Sequence, residues 1–144
     1  MKVLEGTVAG LISGLVKAFG ADKLKAFIEN DWHLLEAAFN ALNPGFKPDY
    51  HAAGLTPEQA ARAEKLRQTT LRKVVLPALG MAKTIASRFP REVVEEKVTA
   101  KWIYEKIKQR HPEIAAIIDS YGEKGWRWLE KEAKMIVDFL VGRS

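Results

Sequence analysis

The side chains best placed to do chemistry in this sequence are lysines and arginines between residues 61 and 91. This segment holds eight basic residues and a single acidic one, Glu64. On a helical wheel of about 100° per residue, six of the basic residues fall within one arc of about 100°: Arg62, Lys65, Arg72, Lys73, Lys83 and Arg91. Arg88 lies beside this arc. We call these seven residues the basic set. A helix face of this kind can lie along nucleic-acid phosphates, because each neutralised phosphate releases counterions.

The excess positive charge of the chain is concentrated around the basic set. The net charge is +5 over 144 residues, and residues 57–144 alone carry +6. An ordinary solvated helix mixes charges of both signs at i,i+4 spacing, as residues 91–110 do. The segment 61–91 lacks that mixture, which favours an anionic partner. A solvated amphipathic helix and an anionic membrane surface stay open as alternatives.

Residue types that would support catalysis or metal binding are missing or dispersed. The chain has no cysteine, so disulfides and thiolate metal sites are excluded. His33, His51 and His111 are far apart in the sequence and match no metal-ligand spacing. No glycine-rich phosphate loop and no Gly-x-Ser-x-Gly motif occurs. We therefore expect a protein that is not an enzyme and that holds neither a metal nor a cofactor.

A row of glycines near the N-terminus is a second candidate contact surface. Gly6, Gly10 and Gly14 recur every four residues, which on a helix makes a groove that lets another backbone approach closely. The partner is either a helix of the same chain or a second subunit, and we assign the three glycines to a subunit contact. Glycine costs a helix about 1 kcal/mol per residue, so this segment could become ordered on assembly.

The apolar N-terminal stretch must be distinguished from a targeting signal or a membrane span. Glu5 and Lys17 bound an uncharged run of only 11 residues, 6–16, whereas a membrane-spanning helix needs about 20. No small-x-small cleavage site follows it. We expect no transmembrane segment and no secretory signal, and hence an intracellular or virion location. The scarcity of Cys, Asn and Gln is typical of proteins from a thermophile.

Proline, glycine and capping signals divide the chain into helices. The third predicted helix begins with a Thr56-x-x-Gln59 capping box and Pro57, and Pro77 predicts a kink or a break inside it. The helices predicted in this way cover residues 2–19, 22–42, 56–89, 91–110, 112–121 and 124–141.

These helices predict an all-α fold, a helical bundle of about five to six helices. We expect residues 1–144 to form a single α-helical domain. Its parts are an N-terminal helical pair or assembly arm, 1–42, a loop, 43–55, and a basic helical bundle, 56–141.

Aromatic residues are predicted mainly to build the core. Trp126 falls in the apolar stripe of the last helix, although the run Trp126-Arg127-Trp128 could alternatively stack on bases. Phe46 and Tyr50 are expected to pin the loop 43–55 onto the bundle, and a hinge at this loop is the alternative.

In size, composition and layout the chain resembles the α-helical coat (major capsid) proteins of rod-shaped and filamentous archaeal DNA viruses. The likeness lies in a small, basic, cysteine-free chain with glycine-bearing N-terminal helices and a joint at Asn43-Pro44-Gly45. It implies a virion subunit that wraps double-stranded DNA, in preference to RNA, and polymerises into a filament. The resemblance carries no diagnostic residues.

We therefore predict a non-catalytic nucleic-acid-binding structural protein that acts by self-association or with a homologous subunit. The basic set would contact phosphates and would not read bases. The alternative is a protein–protein interaction module, such as a small helical subunit of an RNA-guided complex, whose basic face docks on an acidic partner.

Overall fold

A computed structural model of the chain describes residues 2–39, 42 and 48–142. All the regular structure in these residues is helical and falls into six continuous segments, which confirms the predicted all-α bundle. Two π-helical turns, Phe27–Asp31 and Leu71–Val75, continue the first two segments without a break. The α-helices are α1 (Lys2–Ala26), α2 (Trp32–Phe39), α3 (Pro57–Thr70), α4 (Leu76–Arg88), α5 (Arg91–Lys97), α6 (Ala100–Arg110), α7 (Pro112–Ser120) and α8 (Glu123–Val141).

The predicted end of the first helix at Gly20 is confirmed as a sharp interruption inside α1. Gly20 has φ 76° and ψ 176°, a backbone conformation that is essentially restricted to glycine. The chain resumes helical geometry directly afterwards, so the two halves of α1 change direction without an intervening loop. The second predicted break, Asn43-Pro44-Gly45, lies outside the described residues, as does Phe46.

The helix that carries most of the basic set begins as predicted. Thr56 accepts a hydrogen bond from the Gln59 backbone N–H at 3.2 Å, and the Gln59 side chain accepts one from the Thr56 N–H at 2.9 Å. Pro77 does not end this helix, because the π turn Leu71–Val75 precedes it and Leu76 N–H donates to the Leu71 carbonyl. The wider turn accommodates a proline that lacks an N–H and would clash with an ordinary α-helical turn.

This π turn changes which side chains of α4 face the core. A π turn takes up about one residue more than the α-helical turn it replaces, which rotates the following residues by about 100°. Met81, on the apolar side of an uninterrupted wheel, is 44% exposed, whereas its neighbour Ala82 is 5% exposed. The helical wheel of residues 61–91, on which Met81 lies opposite the basic set and was predicted to face the core, was therefore wrong at this position, because the wheel assumed a constant helical period.

Two hydrophobic cores hold the helices together. The main core joins α1 to α4–α8 and includes Leu4, Ile103 and Leu129, each at most 1% exposed. The second core packs α2 on α3 through Leu34 and Ala63, and partly buried residues including Tyr50 pack against it. The N-terminal helices thus pack on the rest of their own chain.

Two sequence predictions in the C-terminal half were wrong. The predicted helix 91–110 is two helices, because Thr99 caps a new one by accepting a hydrogen bond from the Trp102 N–H at 3.2 Å. Trp126 is 44% exposed rather than in the core. Gly125 is buried in its place, since a Cβ there would lie 2.4 Å from the Ile118 carbonyl oxygen. The tight crossing of α7 and α8 turns Trp126 outward.

The helical segment Lys2–Phe39 is long and apolar enough, by length and composition, to cross a membrane. About a third of its most apolar window is buried inside the fold. The core helix of a soluble protein meets the same criteria.

Candidate nucleic-acid-binding surface and a buried apolar cavity

Five members of the basic set are exposed on the helical segment 57–88. Within residues 2–39, 42 and 48–142, none of them forms an ion pair. We call them the free cations: Lys65 on α3, Arg72 and Lys73 in the π turn, and Lys83 and Arg88 on α4. The sequence left open whether the basic face is continuous across Pro77. Because the π turn rotates the residues that follow it by about 100°, Lys83 does not continue the line of Lys65 and Arg72, and the basic face has two parts.

The other two members of the basic set are held by acidic groups of the same chain. Arg62 Nη2 lies 2.8 Å from Asp31 Oδ2, which ties α3 to the first π turn. Arg91 donates to Asp138 at 2.5 Å and to Glu95 and the Gly142 carbonyl, each at 2.6 Å. These two guanidiniums are therefore less available to an external anion than the free cations are.

The only acidic residue between positions 61 and 91, Glu64, is neutralised within the fold. It accepts hydrogen bonds from the Tyr50 hydroxyl at 2.8 Å, from Gln68 at 2.9 Å and from the buried Arg67 at 3.2 Å. Burial acts to raise the pKa of Glu64, but these hydrogen bonds and the charge of Arg67 lower it overall. The hydrogen bond from Tyr50 to Glu64 also confirms the prediction that an aromatic residue of the loop 43–55 holds the loop against the bundle.

The three N-terminal glycines differ in their surroundings. A Cβ at Gly14 would meet the Val74 side chain at 3.5 Å, so Gly14 lets α1 approach the second π turn within the same chain. Gly6 and Gly10 are exposed, and no neighbouring atom of the described residues lies within 4 Å of where their Cβ would be. Of the three, the surface of Gly6 and Gly10 is open to a second subunit.

A cavity with an empty volume of about 520 Å³, part of it open to solvent, lies between α1, α2, α6 and α8. Its lining is almost entirely apolar and includes Ile12, Phe19, Leu35 and Ile103. Exposed Gly20 also lines it, so the cavity reaches the surface beside the interruption in α1. A neighbouring apolar pocket, with an empty volume of about 330 Å³ that is partly open to solvent, shares Leu15, Phe39 and Glu132 with it.

Two polar groups of α8 line this apolar cavity, one turn apart. Glu132 is 5% exposed, and burial raises the pKa of its carboxyl to about 8. Its Oε2 and the indole Nε1 of Trp128 are both buried and have no hydrogen-bond partner in the part of the chain described. Two residues of α8 that line the cavity therefore carry an unsatisfied acceptor and an unsatisfied donor within the described part of the chain.

No family model matches this chain. No curated protein and no solved structure matches it either. The resemblance to archaeal virus coat proteins therefore stays a prediction, and the assignment of function rests on the two sites described above.

The free cations could be predicted from the sequence, whereas the burial of Glu132 was not predicted. A signal was present, because Glu132 lies three residues after Leu129 and four before Ile136, within the apolar stripe of the last helix. An acidic residue within an apolar stripe is expected to face the core together with its apolar neighbours. No pattern in the sequence predicted the cavity, since its lining comes from helices far apart in the chain.

Proposed function

We propose that this chain is a non-catalytic structural protein that binds the phosphates of nucleic acid through the free cations. The main observation in support is that these five side chains are exposed and unpaired within the described residues, while the one acid between positions 61 and 91 is engaged by Tyr50, Gln68 and Arg67. A cation without an internal partner loses no existing ion pair when it meets a phosphate. In this proposal Arg62 and Arg91 stabilise the fold through their ion pairs with Asp31 and Asp138 and do not contact phosphates.

The binding is expected to be independent of sequence and sensitive to salt. The logarithm of the affinity for duplex DNA falls with the logarithm of the salt concentration by about 0.9 per neutralised phosphate. Five contacts therefore give a slope no steeper than about −4.5. Contacts by long, flexible side chains on a helix surface fix position along the backbone and do not discriminate bases.

Fluorescence anisotropy with labelled duplex DNA and with single-stranded RNA, over a range of salt, tests this proposal. Arg72→Glu with Lys73→Glu should weaken binding to all sequences about equally and make the salt slope shallower by about two units. The matched control is Lys101→Glu with Lys108→Glu, the same charge change on exposed positions of α6. Equal losses in the two variants, or no binding at low salt, would contradict the proposal.

Assembly is the second part of the proposal. Exposed Gly6 and Gly10 offer a smooth surface on α1 against which another subunit can pack closely. Light scattering with and without duplex DNA should show a larger particle when DNA is present. A protein that stays monomeric on DNA would contradict the hypothesis of a coat or filament subunit. It would not contradict the proposed phosphate contacts.

A protein–protein interaction module is the second candidate function, and one observation favours it. Leu76 and Met81 are 53% and 44% exposed, close in sequence to Arg72, Lys73 and Lys83. Apolar side chains among cations suit an acidic protein partner with an apolar centre better than a phosphate backbone. Leu76→Ser with Met81→Ser should leave affinity for DNA nearly unchanged if nucleic acid is the partner. Purified protein that carries no nucleic acid, judged by its absorbance ratio at 260 and 280 nm, would favour this second function.

A further inference from the structure

Two residues that line the apolar cavity each carry a buried, unsatisfied polar atom. These atoms are Nε1 of Trp128 and Oε2 of Glu132, both without a hydrogen-bond partner in the described residues. A buried polar group without a partner destabilises the fold, and most native proteins avoid it. Two such groups at the same cavity indicate a molecule that satisfies both.

The two groups are positioned to act on one ligand. Trp128 and Glu132 are four residues apart on α8, so their side chains leave the helix on the same face. Both line this cavity, whose other walls are almost entirely apolar. An indole nitrogen can only donate a hydrogen bond, whereas a carboxyl oxygen can accept one.

We propose that this cavity binds a small, largely apolar molecule that carries a single hydroxyl group. The hydroxyl oxygen accepts a hydrogen bond from Trp128 Nε1, and the hydroxyl proton is donated to Glu132 Oε2. A hydroxyl group can do both. An alkane would leave both atoms unsatisfied, and an ammonium group, which cannot accept, would leave the indole unsatisfied.

The lining and opening of the cavity are consistent with this ligand. Small-molecule sites are mostly apolar with a few polar groups that fix orientation. Gly20, which has no side chain to block the way, is exposed at the edge of the cavity. The polar groups of the site lie on α8, and the site does not include the free cations. The proposed ligand binding can therefore be tested independently of nucleic-acid binding.

NMR titration of the full chain with 1-octanol tests the proposal. The indole N–H resonance of Trp128, assigned by its loss in Trp128→Phe, should shift in a saturable manner. The comparison ligand is 1-methoxyheptane, an isomer of 1-octanol whose ether oxygen accepts but does not donate. Loss of one hydrogen bond should weaken its binding by about three- to tenfold. This comparison uses the wild-type protein and does not depend on whether a variant folds.

Two variants at Glu132 separate hydrogen bonding from cavity shape. Glu132→Gln keeps an acceptor oxygen and should retain the affinity for 1-octanol to within about threefold, whereas Glu132→Leu should lose about three- to tenfold. The proposal is overturned if 1-octanol leaves the Trp128 indole resonance unmoved. It is also overturned if 1-octanol and 1-methoxyheptane bind equally well, since the cavity would then select only for apolar surface.

Discussion

Arg91 Nη2 donates a hydrogen bond to Asp138 Oδ1 and so joins the first residue of α5 to the last turn of α8, 47 residues further along the chain. The same guanidinium donates to the carbonyl of Gly142, just beyond the end of α8. A cation at the carboxyl end of a helix is favoured by the helix dipole and satisfies a carbonyl that the helix leaves unpaired. Arg91 thus acts as a clamp between the two ends of the C-terminal bundle.

Replacement of Arg91 should therefore weaken the fold more than it weakens binding to DNA. Arg91→Ala removes three hydrogen bonds from a side chain that is 25% exposed, and we expect a loss of about 1–3 kcal/mol in the free energy of unfolding. The control is Arg88→Ala, an exposed residue whose loss should change stability by less than about 0.5 kcal/mol. Urea denaturation measures both changes. Similar stability for the two variants would show that the clamp contributes nothing.

Glu132 should make the stability of the protein fall as the pH rises. Its carboxyl has a pKa of about 8 in the folded chain against an ordinary value of 4.5, because burial disfavours the charged form. Between these values the folded chain keeps a proton that the unfolded chain has released, so stability is lost as the pH rises from about 4.5 to about 8. Glu132→Gln removes this loss, and its advantage over wild type should grow to a few kcal/mol across that range.

Urea midpoints of wild type and Glu132→Gln at a series of pH values check this. Other acidic residues contribute equally to both proteins, so the difference between the two curves isolates Glu132. A difference that does not change with pH would mean that the carboxyl is ionised in the fold.

The tight crossing of α7 and α8 should make Gly125 intolerant of any side chain. A Cβ there would lie 2.4 Å from the Ile118 carbonyl oxygen, a backbone atom that cannot move without shifting α7. We expect Gly125→Ala to cost about 1–3 kcal/mol. The control is Gly80→Ala, a helical and exposed position with open space, which should gain up to about 1 kcal/mol. Thermal melts measure both, and opposite signs are the expected result.

Gly20 and Gly10 should respond to alanine in opposite ways although both lie in α1. Gly20→Ala forces a side chain into φ 76°, which should cost about 1–3 kcal/mol. Gly10→Ala should stabilise the monomer by up to about 1 kcal/mol, because the position is helical and open. If Gly10 also packs against a second subunit, the same change should reduce assembly in light scattering. A stabilised Gly10→Ala protein that assembles normally would exclude Gly10 from the interface.

The sequence by itself determined the local features of this fold. The capping box at Thr56 and Gln59 and the interruption at Gly20 depend on hydrogen bonds and φ preferences that act within a few residues, so the residue types reveal them. The apolar spacing of α8 even contained the position of Glu132, although an acid in that stripe was not recognised as buried. The exposed cations could likewise be named in advance, because exposure of lysine and arginine is the usual outcome on an amphipathic helix.

Only the tertiary structure decided which of those residues are free to act. Whether Arg91 faces solvent or Asp138 depends on how α5 packs on α8, and no local pattern encodes a contact across 47 residues. The π turn before Pro77 moved Met81 to the surface, because a single extra residue alters every later position on the helical wheel. The cavity beside Trp128 and Glu132 exists because side chains from several helices leave space between them, which is a property of their packing and not of any one segment.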